Sequence, residues 1–121
     1  MDTLYHWLGE KRLKVLVDLF YDRVFSSEKI GPLFNKSDKE LVRRKQFLFL
    51  SQFLGGPSIY SEEYGYPRMR MRHLPHAIDE QAMLEWLRCM KEAIDQLELD
   101  ESLASELFAC FPKVAAHMVN R

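Results

Sequence analysis

The sequence has only two cysteines and no long apolar segment. These shortages argue against a cysteine-based redox or metal site and against a membrane-spanning protein. Its two cysteines, Cys89 and Cys110, lie far apart and do not form the C-x-x-C spacing of a redox or metal motif. No apolar run approaches the roughly 18 residues that span a bilayer. The first residues, MDTLYHWLGEKR, lack the basic and apolar regions of a secretory signal. We therefore expect a cytoplasmic protein with free thiols and no membrane contact.

A basic surplus is also missing. Lysine and arginine number 17 against 18 aspartates and glutamates, so the formal net charge is −1. Nucleic-acid-binding proteins usually carry a basic excess, so we expect no nucleic-acid partner. Neither an H-E-x-x-H zinc motif nor a glycine-rich phosphate loop after a strand is present. The 121 residues suit one domain, 1–121, and their 47% hydrophobic content is ordinary for a globular protein.

Apolar residues recur at helical spacing along almost the whole chain, which predicts an all-α fold. The segment RMRMRH at 68–73 alternates with period two, but no other segment could pair with it as a strand. We expect four substantial helices and a short one at residues 3–8. The predicted boundaries are Glu10 to Ser26, a start at a Ser37–Glu40 capping box with an end at Gly55, Asp79 to Leu97, and a start at Asp100.

Two segments should interrupt this helical pattern. Residues 55–67 contain three glycines and two prolines, so we predict an irregular loop there. Such a long loop in a small bundle is typical of a segment that serves function or wraps a ligand. Pro112 lies inside the last helical pattern and should kink that helix.

Several polar side chains stand where the helical pattern is otherwise apolar. Tyr21 follows Phe20 in the first long helix, Gln46 lies between apolar positions of the second, and Trp86 lies within the stripe of the third. A buried hydroxyl, amide or indole N–H needs a hydrogen-bond partner. These three groups could satisfy one another, or they could surround a small polar ligand.

His73 precedes Leu74-Pro75, and a proline disfavours helix in the residue before it, so the histidine should lie at a helix end. A histidine there could be a surface or capping residue, or it could be an axial haem ligand. The arginines before it could bind carboxylates or phosphate, which match the guanidinium fork.

The chain resembles the group II truncated haemoglobins over nearly its whole length. The resemblance lies in five segments that occur in the family's order: LVDLFYDRV, KQFLFLSQFLGGPSIYSEEYGYP, MRMRHLPHAI, EWLRCM and AAHMVN. The resemblance implies a truncated globin fold, a two-over-two helical sandwich around b-type haem. It also implies that the haem binds O₂, NO or CO. The role would be the binding, storage, scavenging, transport or sensing of O₂.

The same resemblance assigns roles to individual residues. His73 corresponds to the proximal iron ligand, and Tyr21, Gln46 and Trp86 to the distal groups that face the bound gas. The remaining assignments are Phe34, Val42 and Phe49 in the haem pocket and Arg72, Lys45 and Tyr60 at the haem propionates. Val42 stands where many globins have the distal histidine, so stabilisation of the gas would depend on the three distal groups.

Two other functions stay open at this point. The first is a redox enzyme on the same haem, a nitric-oxide dioxygenase or weak peroxidase, which would need an external reductase because no flavin or nicotinamide motif is visible. The second is a haem-free helical interaction module. The sequence is compatible with a monomer or a homodimer.

Overall fold

Helices account for every regular element in the part of the chain that the computed structural model describes, residues 3–65, 78–117 and 119. The helices are α1 (Leu4–Leu8), α2 (Glu10–Ser26), α3 (Lys39–Phe53), α4 (Ile59–Tyr64), α5 (Glu80–Gln96), α6 (Glu101–Ala109) and α7 (Phe111–His117), with a 3₁₀ turn at Gly31–Phe34. The all-α prediction is confirmed.

Aspartate side chains begin three of the long helices. The carboxylate of Asp79 accepts the N–H of Ala82 at 2.8 Å, and Asp100 accepts that of Leu103 at 3.4 Å, as the sequence predicts. The start of α3 was predicted wrongly, because Asp38 rather than Ser37 is the capping residue and accepts the N–H of Leu41 at 3.2 Å. Each cap satisfies a backbone donor that has no partner within its helix.

The glycine- and proline-rich segment is not wholly irregular, so the predicted loop over 55–67 is wrong in its middle. Residues Ile59–Tyr64 form α4, which ends at Gly65 with φ +82°. Gly55, Gly56 and Pro57 lie before this helix, and Gly65 follows it. The stretch 68–73, whose alternating pattern has no strand partner in the sequence, lies outside the described residues.

The last helical pattern is divided into two helices rather than kinked. Helix α6 ends before Cys110, whose N–H donates to the Leu107 carbonyl at 3.2 Å, and α7 begins at Phe111. Pro112 is the second residue of α7, where a backbone N–H has no helical acceptor and its absence costs little.

The long helices pack against one another around a single core. Helix α2 packs against both α3 and α5, and α5 packs against α6 and α7. The centre of this arrangement is apolar and closed to solvent. Its fully buried side chains include Leu13, Leu16, Phe20, Val24, Leu50, Met90, Ile94, Leu107 and Phe111.

The glycine pair after α3 allows the N-terminal segment to pack closely. Gly55 has φ +101°, and a Cβ at Gly56 would lie 2.7 Å from the Tyr5 ring. The N–H of Tyr5 also donates to the Leu54 carbonyl at 3.0 Å. Only residues without a side chain leave room for α1 at this turn.

Both cysteines are free thiols, as predicted. Cys89 has no exposed surface, and burial raises its pKa to about 11. Cys110 is half-buried, and partial burial raises its pKa as well. No helix within the described ranges combines the length and the apolar character needed to cross a membrane.

Candidate functional site

Tyr21 is the most buried of the predicted distal residues. Only 6% of its surface is exposed, and its ring packs against Phe20, Phe25 and Phe34 at centroid distances of 4.9, 5.2 and 6.2 Å. Burial raises the pKa of Tyr21 well above its usual range, and the charge of Arg43 offsets part of that rise. The phenol therefore stays protonated at every physiological pH and remains a hydrogen-bond donor.

Phe20 brings Tyr21 and Trp86 to the same region. Its ring makes an edge contact with Tyr21 on one side and with Trp86 at 5.1 Å and 74° on the other. Trp86 is half-buried on α5 and also contacts Phe111 of α7 at 5.9 Å. Edge-to-face packing of this kind fixes ring orientation as well as position.

Helix α3 contributes the third predicted distal group. Val42, Gln46 and Phe49 are spaced by four and three, so they lie on one face of this helix. Val42 and Gln46 are half-buried and Phe49 is buried, and both apolar residues pack with the core. Phe34, at the end of the 3₁₀ turn, contacts Phe25 and Tyr21. The predicted pocket residues thus come from α2, α3, α5 and the 3₁₀ turn.

The polar groups of this region do not satisfy one another. In the ranges that the structure covers, no hydrogen bond joins Tyr21, Gln46 and Trp86, and none connects their side chains to other described residues. Every fully buried polar side-chain atom among the described residues does have a hydrogen-bond partner. The hydroxyl, amide and indole groups must therefore border space that a small molecule can reach.

The residues predicted to meet the haem propionates include Lys45 and Tyr60, and one ring links them. The Lys45 ammonium lies 5.0 Å from the centroid of Tyr64, whose ring packs on Tyr60 at 5.2 Å. Tyr60 in turn contacts Phe49 at 5.6 Å and is 7% exposed. These contacts place a cation and a tyrosine beside the predicted pocket.

His73 and Arg72, the predicted iron ligand and a predicted propionate partner, lie outside the described residues. Within residues 3–65, 78–117 and 119, no group of three histidine, cysteine or acidic side chains is arranged to hold a metal ion. The described half of the site is an apolar, aromatic-lined region with three polar groups that lack protein partners. Such chemistry fits a flat apolar cofactor that carries a small polar ligand.

Sequence reasoning missed two charged networks next to this region. Arg43 joins α3 to Asp18 and Asp22 of α2. The Ser27 hydroxyl donates to Glu85 at 2.5 Å, and Arg88 donates to the same carboxylate, which lowers the pKa of Glu85 to about 2. The acidic residues four apart on α2 could have suggested a partner, but nothing local identified which arginine.

Comparison with known proteins places these features in one family. The model for bacterial-like globins matches residues 3–120. The group 2 truncated haemoglobin YjbI of Bacillus subtilis is 44% identical over 97% of this chain and 88% of its own length. A group 2 truncated haemoglobin of Lotus japonicus is 31% identical over 97% of this chain and 71% of its own.

Solved structures agree with this family and with the predicted truncated globin fold. A crystal structure reported as a truncated oxygen-avid haemoglobin from Bacillus subtilis matches with a TM-score of 0.92, covering 98% of this chain and all of that one. The group II truncated haemoglobin of Bacillus anthracis is 37% identical and matches with a TM-score of 0.93 over 99% and 92% of the two chains. This chain belongs to the bacterial-like globin family, among the group II truncated haemoglobins.

Proposed function

We propose that this globin holds b-type haem through His73 and binds O₂ on the face lined by Tyr21, Gln46 and Trp86. Membership in the family supports a haem-dependent, gas-binding role of the globin type. The proposal goes further in naming the iron ligand, the gas and the groups that retain it. Arg72, Lys45 and Tyr60 would receive the haem propionates.

The observation that carries the proposal is the environment of Tyr21. Its hydroxyl is held on a nearly buried ring between three phenylalanines, yet no described residue accepts or donates a hydrogen bond to it. A hydroxyl that borders space open to a small molecule, and that no described residue bonds, is available to donate a hydrogen bond to a ligand bound there.

The distal groups suit O₂ because all of them can donate a hydrogen bond. When bound, haem supplies reversible coordination of a diatomic gas and leaves partial negative charge on it. A phenol O–H, an indole N–H and an amide N–H stabilise negative charge, and they do so more strongly in an apolar pocket than in water. Each donor should contribute about 1 kcal/mol and so slow gas release about five- to tenfold.

A relative supports the choice of gas. The Bacillus subtilis truncated haemoglobin, with 44% identity over 98% of this chain, is reported as oxygen-avid. Strong retention of O₂ is what several donors around one gas molecule would produce in this chain.

The first experiment tests haem binding and the iron ligand. We expect the purified protein, supplied with haemin and then reduced, to show the visible spectrum of a histidine-bound haem and to change on adding CO. His73→Ala should lose that spectrum. The matched control is His117→Ala, which instead removes the histidine at the end of α7. An unchanged spectrum in His73→Ala would contradict the ligand assignment.

The second experiment tests the donor. Tyr21→Phe keeps the ring and removes the hydroxyl, so O₂ should dissociate about five- to tenfold faster in stopped-flow displacement by CO. Tyr5→Phe removes a hydroxyl from α1, where the ring packs against Gly56, and should leave the rate unchanged. Equal rates in Tyr21→Phe and the unmodified protein would refute the assigned role of the phenol.

A further inference from the structure

Arg43 ties α3 to α2 through several contacts from one guanidinium. One of its terminal nitrogens, Nη1, donates to the backbone carbonyl of Asp18 at 3.1 Å and to the Asp18 carboxylate at 3.2 Å. The other, Nη2, donates to the Asp22 carboxylate at 2.8 Å. A planar guanidinium with donors in a fixed fork can serve two carboxylates at once. The contacts therefore fix where α3 lies along α2.

The same side chain also contacts the aromatic wall around Tyr21. The Arg43 guanidinium lies 5.4 Å from the centroid of Phe25, and the Phe25 ring packs at 5.2 Å against Tyr21. Only 20% of the Arg43 side chain is exposed, which is less than for any other cation in the ion pairs of the described residues. Arg43 thus combines a cation–π contact with a partly dehydrated ion pair.

The residues that Arg43 joins lie close in sequence to two of the predicted distal residues, Tyr21 and Gln46. Asp18 is one turn before Tyr21 on α2, and Asp22 follows Tyr21 directly. On α3, Arg43 precedes Gln46 by three residues, which is about one turn. A shift of α3 along α2 would change the separation of Tyr21 and Gln46, and the Arg43 contacts oppose that shift.

We propose that Arg43 is a positioning residue of the gas pocket. Its contacts hold the face of α3 that carries Gln46 at a fixed distance from the Tyr21 hydroxyl. This inference rests on the proposed function, since it assumes that the two groups donate to one gas molecule. Arg43 itself does not touch the gas. Its effect is geometric, because hydrogen bonds weaken steeply when the donor moves out of line.

A neighbouring arginine provides the comparison that the proposal needs. Arg44 pairs with Glu63 through two bonds of 2.8 Å and with the Tyr64 hydroxyl at 2.7 Å, so it ties α3 to α4. Its side chain is 50% exposed, and its hydrogen-bond partners belong to α4 rather than to α2. If any ion pair made by α3 were enough to position the gas pocket, substitution of either arginine would change O₂ release equally.

The test compares haem-loaded Arg43→Met, Arg43→Lys and Arg44→Met with the unmodified protein. Two quantities are measured, the O₂ dissociation rate and the infrared C–O stretching band of the CO complex, which reports polarity beside the gas. We expect Arg43→Met to release O₂ about three- to tenfold faster and to shift or split the C–O band. Arg44→Met leaves the contacts between α2 and α3 intact and frees only the side of α3 near Tyr64, so it should change both quantities less than Arg43→Met does.

Arg43→Lys separates position from charge. A lysine ammonium keeps the positive charge but cannot bridge two carboxylates in the guanidinium geometry, so it should behave like Arg43→Met. Full recovery in Arg43→Lys would overturn the proposal in favour of a simple charge effect. Asp22→Asn, which removes one anchor without changing α3, should move both measurements in the same direction and serves if Arg43→Met does not fold.

A combined variant shows whether Arg43 acts through Tyr21. In a Tyr21→Phe background, Arg43→Met should add less than half of its effect on the logarithm of the O₂ dissociation rate, because one of the two donors whose separation Arg43 sets is gone. Full additivity, or an unchanged rate in Arg43→Met alone, would refute the inference while leaving the proposed function intact. Failure of the unmodified protein to take up haem would instead refute the proposed function.

Discussion

The two sides of α2 differ in how completely their side chains find partners within the chain. The side formed by Leu13, Leu16, Phe20 and Val24, here called the closed side, has no exposed surface. The side formed by Asp18, Tyr21, Asp22 and Phe25, here called the open side, carries ion pairs to α3 and a phenol with no described hydrogen-bond partner. One helix thus provides close packing on one side, and ion pairs beside an unbonded phenol on the other.

This difference separates stability from function within a single helix. Residues of the closed side lose contacts that nothing replaces when they are shortened. A side-chain group that makes no hydrogen bond with the described residues can be removed with little loss of stability. Substitutions that disrupt the closed side should therefore cost more stability than substitutions in the link between α2 and α5, and substitutions on the open side should cost least.

The closed side should be the most sensitive to truncation. Phe20 is fully buried and contacts both Tyr21 and Trp86, so Phe20→Ala should lower the free energy of unfolding by about 3–5 kcal/mol in urea denaturation. Val15→Ala is the control on the same helix, because Val15 is 48% exposed. A loss below about 1 kcal/mol for Phe20→Ala would mean that the closed side is not a cooperative core.

The link between the end of α2 and α5 should have an intermediate effect that depends on pH. Hydrogen bonds from Arg88 and Ser27 lower the pKa of Glu85 from 4.5 to about 2, so its ionised form stabilises the fold above the unfolded pKa. Since Arg88 is half exposed and screened by solvent, Glu85→Gln should cost about 1–2 kcal/mol at neutral pH.

That cost should disappear in acid. Protonation of Glu85 removes the stabilisation as the pH falls from about 4.5 toward 2, so the unfolding curves of Glu85→Gln and the unmodified protein should converge there. Glu62→Gln, which changes an exposed carboxylate of α4, is the control and should show no such convergence. A difference that persists at acidic pH would argue against the ion pair as the cause.

The open side should show the smallest change in stability. Tyr21→Phe should alter the free energy of unfolding by no more than about 0.5 kcal/mol, because the hydroxyl has no described partner to lose. Ser27→Ala is the informative contrast, since its hydroxyl donates to Glu85 and its removal should cost about 1–2 kcal/mol. A large loss for Tyr21→Phe would place the phenol in the stabilising network instead.

Helix boundaries set by neighbouring residues were predictable from the sequence. The bounds of α2 and the caps Asp79 and Asp100 agree with the prediction, because periodicity and capping are local properties. The helix α4 was missed because glycine and proline were counted over the whole segment rather than placed. Gly56 and Pro57 precede this helix and Gly65 ends it, so these residues define its limits.

The arrangement of the site was less accessible from the sequence. Periodicity placed Tyr21, Gln46 and Trp86 on inward faces, but it could not show that Phe20 brings two of them together. The contacts of Arg43 with Asp18 and Asp22 join residues more than 20 positions apart. Such contacts depend on how helices pack, and no local pattern encodes which charged residues will meet.

The buried position of Cys89 has a consequence for how the opening of this globin can be followed. Thiolates rather than thiols react with oxidants, and the raised pKa of Cys89 keeps it protonated in the closed interior. Its sulfur becomes reachable only when α5 separates from its neighbours. The rate at which an alkylating reagent labels Cys89 should therefore report how often this part of the globin opens.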